Sequence, residues 1–317
     1  MKKSFLWIVF LLGLALLLSA CGKGNEKGNE DGKKGADDGS LKVVTSFSIL
    51  DNMVKEIGKE HLSVHNLVPI GTDPHEYEPL PEDIKKATDA DLLFYNGLNL
   101  EGGDSGWFHK LTDSVKQSDE HIYQVMEGVE PKYLKGENGH ESEINPHAFI
   151  DPNVGIKMAE NIRDALMKAD SDHKGDYDKN ANDFIAKLKD IEKEYAEKFA
   201  EIPDEKRILI TSERAFQYLA DSYDIKEGYI WEIDTEENGS PEQIKSLVKF
   251  IKDNPVPALF VESNVDTRPM ETVSKETGID IYKDYIFSDE IGKKGKPGDT
   301  YIKYLEWNID KLYNGMK

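Results

Sequence analysis

The sequence predicts an α/β protein of two α/β lobes joined by one long helix. Three observations predict it. From Leu41 onward short β-rich runs alternate with amphipathic helical patterns, as strands and crossover helices do around a mainly parallel sheet. Between about Lys174 and Phe199 the alternation stops. There Tyr177, Phe184, Leu188, Ile191, Tyr195 and Phe199 recur at helical spacing with charges between them, which is one long helix. After Pro203 the alternation starts again.

In chain order, Leu41–Phe47 (LKVVTSF) is a strand rich in β-branched residues, and Ile49–Ile57 is helical. Leu62–Val68 is a second strand, Ile84–Ala87 part of a short helix, and Leu92–Tyr95 a third strand. His121–Val125 reads as a strand, and Asn153–Met167 carries apolar residues at helical spacing. Beyond the long helix, Arg207–Thr211 is a strand, Ala215–Ser222 a helix and Gly228–Ile233 a strand. Ser240-Pro241-Glu242-Gln243 has the form of a capping box and opens a helix. Ala258–Val261 and Asp280–Tyr282 read as strands, Met270–Lys275 as a helix and Tyr301–Leu312 as the terminal helix. The expected domains are therefore a lobe over 41–172, a linking helix over 173–202 and a lobe over 203–317.

The 317 residues carry 61 Asp+Glu against 40 Lys+Arg, a formal charge of −21, which excludes a basic footprint for nucleic acid. The one cysteine excludes an internal disulfide framework and any CxxC cluster. Its position is informative. Lys2 and Lys3 precede an apolar run from Phe5 to Ala20, too short for a spanning helix of ~20 residues, so residues 1–20 form a signal peptide. Leu18-Ser19-Ala20-Cys21 resembles the bacterial lipobox, in which the cysteine is lipidated and becomes the new N-terminus. Two or more acyl chains anchor a protein stably, so the expected location is the extracytoplasmic face of the cell membrane, held through Cys21. Residues 21–40, rich in Gly, Asn and mixed charge, form a flexible tether reaching roughly 25 Å.

Ligand sites of open α/β sheets lie beyond the carboxyl ends of strands. Four metal-capable side chains follow strands or turns in that way. They are His75 in GTDPHEYEP, His147 in NPHAFIDP, Glu213 after RILITS and Asp289 in YIFSDEIG. Each alone has a bland alternative: the histidines as surface turn residues, Ser212-Glu213 as a helix start, and Asp289 as a loop cap. Together they are more specific. Two Pro-His turns come from one lobe and two carboxylates from the other, and two carboxylates neutralise a divalent first-row ion held by imidazoles.

The segments DPHEYEPLPEDI, ADLLFYNGLNLE, NPHAFID, ITSERAFQYLA, YIWEIDTEENGSPEQI, LFVESNVDTRPM and FSDEIGKKGKPGDTY resemble, in order, the metal-binding lipoproteins of bacterial ABC importers. These form the manganese/zinc/iron solute-binding family, and the likeness is strongest to its manganese-binding branch. The resemblance implies an α/β fold of two α/β lobes joined by one long rigid helix, with the metal site in the interlobe cleft and a His, His, Glu, Asp ligand set on His75, His147, Glu213 and Asp289. It implies Mn2+ as the transported ligand, with Zn2+ competing, and an ABC permease with its ATPase as partner of a monomeric protein. Three residues depart from the family pattern: Asn145 where Asp is frequent, Phe149 where Trp is common, and Arg214 where a small residue is common. Arg214 is expected to point away from the site or to pair with an acid.

Zinc-specific relatives typically carry a third histidine and a long His-rich loop before the second Pro-His. Here the ligand is Glu213, and the short GENGHESEINPH stretch has one extra histidine, His140, read as a solvated loop residue. Oxygen ligands shift preference from tetrahedral zinc toward manganese, with iron open, although Mn2+ stays below Zn2+ in intrinsic affinity. Imidazoles must be neutral to ligate, so affinity is expected to fall with pH. The chain is expected not to be an enzyme. HExxH, GxSxG and P-loop patterns are absent, and four protein ligands would close the site to a substrate. A metal-dependent hydrolase and a surface adhesin are the rival readings. Trp107, Trp231 and Trp307 do not cluster and are assigned to packing.

Overall fold

The β-branched run at the start of the body buries Val43 and Val44 and forms β1 (Leu41–Thr45). It pairs in parallel with β2 (Leu62–Asn66) on one side and β3 (Leu92–Tyr95) on the other, and β3 pairs with β4 (Ile122–Gln124). The resulting order is β2-β1-β3-β4. Parallel neighbours need crossovers, and α1 (Ser48–Gly58), α2 (Pro81–Thr88) and α3 (Trp107–Val115) supply them. The computed structural model describes residues 40–135, 141–233 and 239–317. The signal peptide, Cys21, the tether to residue 39 and His140 lie outside the described residues.

An antiparallel pair, β5 (Tyr133–Lys135) and β6 (Glu141–Ile144), follows β4 and leads into Asn145-Pro146-His147. The sequence pattern did not reveal these strands, which have only three or four residues and no clean alternation. Asp151 then caps α4 (Pro152–Ala169), its Oδ1 accepting from the Asn153 N–H at 2.9 Å.

The long helix is α5 (Lys174–Ala200), 27 residues and so about 40 Å at ~1.5 Å per residue. It buries the stripe expected from spacing: Tyr177, Phe184, Leu188, Ile191, Tyr195 and Phe199. Polar contacts fix both halves, with Asn180 Nδ2 donating to the Ile57 carbonyl at 3.0 Å and Tyr195 Oη to the Leu305 carbonyl at 2.8 Å.

The second lobe is built on β7 (Ile208–Glu213) and β8 (Lys226–Trp231), paired in parallel, with α6 (Gln217–Ser222), α7 (Pro241–Lys252), α8 (Arg268–Thr277) and α9 (Tyr301–Met316). The capping box opening α7 is present: Ser240 N–H donates to Gln243 Oε1 at 2.8 Å, and the Gln243 N–H donates to Ser240 Oγ at 3.3 Å. The two strands expected at Ala258–Val261 and Asp280–Tyr282 are not regular strands. They form isolated parallel bridges, Leu259 with Ile281 and Glu262 with Ile286, alongside a Phe260 N–H bond to the Ile210 carbonyl at 2.9 Å. Pro255 and Pro257, just upstream, have no N–H to extend a ladder.

The larger apolar core is continuous from Val43 and Phe94 through Tyr195 and Phe199 to Phe216, Phe260 and Tyr304. Both lobes and α5 therefore share packing, which resists wide hinge opening. A smaller core of Ile210, Ile230, Leu247 and Val273 lies between the β7–β8 pair and helices α7 and α8. Among the described residues, no helix is long and apolar enough to cross a membrane. Trp107 and Trp231 are buried, and Trp307 packs against the larger core.

Candidate metal centre

The structure brings His75, His147, Glu213 and Asp289 together, each offering a ligand atom that lies within 4.8 Å of the other three. His75 comes from the loop after β2 and His147 from the turn after β6, whereas Glu213 ends β7 and Asp289 follows the bridged segment at Ile286. His147 Nε2 lies 3.1 Å from Asp289 Oδ1 and 3.6 Å from Glu213 Oε1, and His75 Nε2 lies 3.9 Å from Asp289 Oδ1. Cis ligands held at ~2.1 Å from one ion are about 3.0–3.4 Å apart, so these separations match a shared cation after small side-chain shifts. The donors are two imidazole nitrogens and carboxylate oxygens, which suits a first-row divalent ion.

Each donor is positioned by identifiable chemistry. His75 sits in an Asx turn, its N–H donating to Asp73 Oδ1 at 2.7 Å. Trp107 Nε1 pins the preceding Pro74 carbonyl at 2.8 Å, and Tyr77 packs edge-on against Trp107 at 5.3 Å. His147 is fully buried, and its Nδ1 is 2.8 Å from Asn145 Oδ1. An amide oxygen only accepts, so Nδ1 bears a proton, and when the ring is neutral it is the Nε2 lone pair that faces the carboxylates.

Glu213 is also fully buried and is the last residue of β7, not the start of a helix. Its N–H and that of Ser212 donate to Glu262 Oε1, at 2.9 and 3.0 Å. Burial pushes the Glu262 carboxyl up to about 7 against these backbone hydrogen bonds. Asp289 divides its oxygens: Oδ2 accepts from Asn264 Nδ2 and from Ser288, both at 3.0 Å, while Oδ1 faces the imidazoles. Burial raises its pKa, but when the His147 and His75 rings are protonated and no cation is bound their charge outweighs that and holds it well below the usual carboxylate range. Apart from their approach to each other, Oδ1 of Asp289 and Nε2 of His147 are shielded from solvent without a partner in hydrogen-bond geometry among the described residues. Buried polar atoms are rarely left so, and a cation held between them would satisfy both.

The backbone before Asp289 is held by Asn308, which accepts from the Phe287 N–H at 2.8 Å and donates to its carbonyl at 2.9 Å. Tyr304 Oη adds a bond to the Ser288 carbonyl at 2.8 Å. Arg214 points away from the site and pairs with acids, as expected. Its Nε donates to Glu227 at 2.6 Å and its Nη1 to Glu232 at 3.2 Å, with the guanidinium over the Tyr229 ring. Phe149 packs against Phe47 at 5.1 Å and against the His147 ring at 5.9 Å. Sequence reasoning did not assign roles to Asn145, Glu262 and Asn264. The first was visible as a departure within NPH, and the other two lie in the quoted LFVESN segment.

With this geometry in place, the chain can be set against known proteins. The family described as ZnuA, zinc-uptake complex component A periplasmic, matches residues 43–315. The chain belongs to this family. Among its relatives is the manganese ABC transporter substrate-binding lipoprotein PsaA of Streptococcus mitis, 45% identical over 316 residues and 99% of each chain. The metal ABC transporter substrate-binding lipoprotein FimA of Streptococcus parasanguinis is 44% identical over 317 residues, all of this chain and 99% of that one. In three dimensions, a manganese-bound mutant of a periplasmic metal-binding protein of Candidatus Liberibacter asiaticus aligns with a TM-score of 0.77 at 26% identity, covering 87% of this chain and 99% of that one. The two-lobed fold is thus shared with a solved member of the metal-binding class.

Proposed function

We propose that the protein captures Mn2+ outside the cytoplasmic membrane and delivers it to an ABC importer permease driven by its ATPase. Membership in a family of importer binding components supports transport over catalysis. The relatives named as manganese-binding lipoproteins, at 45% identity over nearly the whole chain, support Mn2+ as the cargo. The observation that carries the reading is the convergence of His75, His147, Glu213 and Asp289, two neutral imidazoles and two carboxylates that balance a 2+ charge. In this reading the four side chains are the metal ligands, and the lobes span 41–172 and 203–317 with the helix between them. Cys21 carries the lipid that holds the monomeric protein on the extracytoplasmic face.

Zn2+ binds the same donors at least as strongly by the general affinity order, so selectivity for Mn2+ comes from delivery and from the oxygen-rich ligand set. The test is metal competition on the purified apo protein. It is loaded with Mn2+, challenged with Zn2+, and followed by metal mass spectrometry and thermal shift. One stabilising equivalent of Mn2+, lost in Glu213→Ala, is the expected result. Binding of Zn2+ alone, indifferent to Glu213, would move the protein to the zinc branch.

A further inference from the structure

This inference rests on the reading of His147 as a metal ligand. Asn145, which immediately precedes the Pro146-His147 pair, is completely buried, and every polar end of its amide is used. Oδ1 accepts from the His147 backbone N–H at 3.0 Å and from His147 Nδ1 at 2.8 Å. Nδ2 donates to the Arg214 carbonyl at 2.8 Å and to Gln217 Oε1 at 3.0 Å. Its backbone is held as well: the N–H donates to the Lys132 carbonyl at 2.8 Å, and Tyr218 Oη donates to its carbonyl at 2.8 Å. The amide cannot be turned over, because its nitrogen faces the Arg214 carbonyl and its oxygen faces the His147 backbone N–H.

Asn145 therefore touches two things at once. Its oxygen dictates which nitrogen of His147 is bare, and its nitrogen grips Arg214 and Gln217, which follow the second lobe's β7 and lie beside Glu213 in the chain. We infer that Asn145 is a positioning residue that couples the metal site to the lobe contact and sets the site's preference among divalent ions.

The preference follows from charge. With Asn145 neutral, two carboxylates and a 2+ ion sum to zero, and the imidazole stays an ordinary neutral donor. A carboxylate in its place would still accept from Nδ1, but it would make the imidazole more basic. A stronger nitrogen donor favours Zn2+ over Mn2+, because nitrogen affinity rises toward the end of the first row. The same carboxylate would set a negative oxygen against the Arg214 carbonyl and Gln217 Oε1, where the amide now donates. Asn145→Asp thus separates the two roles: the tautomer is kept and the lobe contact is lost.

The experiment uses the full chain purified in detergent as wild type, Asn145→Asp, Asn145→Ala and His147→Ala. Nitrogen-15 shifts of the His147 ring in the apo form, recorded at a pH high enough that the ring is neutral, report the tautomer, and chelator competition gives Mn2+ and Zn2+ affinities. The expected result is an Nδ1–H tautomer in wild type and Asn145→Asp, and a mixture in Asn145→Ala with Mn2+ affinity lowered roughly 10–100-fold. The Zn2+-to-Mn2+ affinity ratio should rise about tenfold in Asn145→Asp. Wild-type tautomer and affinity in Asn145→Ala would overturn the inference, as would equal losses in both Asn145 variants with an unchanged metal ratio. Should Asn145→Ala fail to fold, the near-isosteric Asn145→Asp decides through the metal ratio alone. Undiminished Mn2+ binding by His147→Ala would instead remove the ligand reading beneath it, whatever the Asn145 variants do.

Discussion

Among the described residues, two pairs of histidines pack ring against ring beside carboxylates, and one of the two pairs has the geometry of a metal site. At the cleft, His75 and His147 sit edge to face with ring centroids 5.2 Å apart, and both approach the same Asp289 oxygen. Where the chain entering β2 meets the start of α5, His61 and His173 stack at 3.9 Å with a 27° interplanar angle. There each ring has its own acid: His61 Nε2 lies 3.0 Å from Asp176 Oδ2, and His173 Nδ1 lies 2.6 Å from Asp170 Oδ2. Imidazole lone pairs lie in the ring plane, so near-parallel rings do not aim at one point between them. The burial differs too, with His147 fully enclosed and the His173 side chain 40% exposed. Imidazoles and carboxylates thus converge in one place and form two separate surface pairs in the other. What distinguishes them is that the cleft draws its donors from two lobes onto one buried point.

The largest test of this contrast removes a shared donor. Asp289→Ala is expected to weaken Mn2+ binding by more than about 100-fold, beyond the cost typical of outer-shell changes, as read by chelator competition. His61→Ala should leave stoichiometry and affinity unchanged in the same assay, and a comparable loss there would break the distinction.

A buried carboxyl outside both clusters sharpens the point about burial. Glu101 accepts from the Asn96 N–H at 2.7 Å and the Gly97 N–H at 3.1 Å, and burial pushes its pKa up to about 7 against those bonds. A carboxyl raised on folding favours the native state below its unfolded pKa, and that favour is lost as pH rises toward 7. Its contribution to that slope is on the order of 3 kcal/mol at ~1.4 kcal/mol per pKa unit. Glu101→Gln should therefore flatten apo stability between about pH 4.5 and 7 in denaturant titrations. An unchanged slope would mean the carboxyl is ionised at little cost.

The smallest effect belongs to the surface pair. The hydrogen bond to Asp170 raises the pKa of His173; Asp170 is pushed up by burial but held below its ordinary value by His173 and Tyr177. The histidine's contribution is complete below its unfolded pKa and is lost as pH rises through the raised folded value. The aspartate's is present above its unfolded pKa and is lost as pH falls through the lowered one. His173→Gln is thus expected to lower the melting temperature slightly near pH 5.5 and not at pH 9, without altering metal binding.

Much of this was legible in the sequence, for different reasons in different parts. Helix α5 announced itself because a 27-residue helix shows many turns of one buried stripe. The four cleft residues were legible as a set and through the family resemblance of the motifs that carry them, since each alone had a bland alternative. The strands expected at Ala258–Val261 and Asp280–Tyr282 became isolated bridges, because apolar content reports burial and not ladder continuity. The β5–β6 pair was too short to show a period. Asn145 stood in the sequence as a mere departure from pattern. Its role depends on Arg214 and Gln217, roughly seventy residues away, which no local reading supplies.

The most direct test is the Mn2+ content of the purified protein after equilibrium dialysis, measured beside a His147→Ala, Asp289→Ala double variant whose fold is verified by its melting curve. One equivalent bound by the wild type and none by the variant is the predicted result. A full equivalent retained by the variant would contradict the cleft assignment, and no metal in the wild type would contradict metal capture itself.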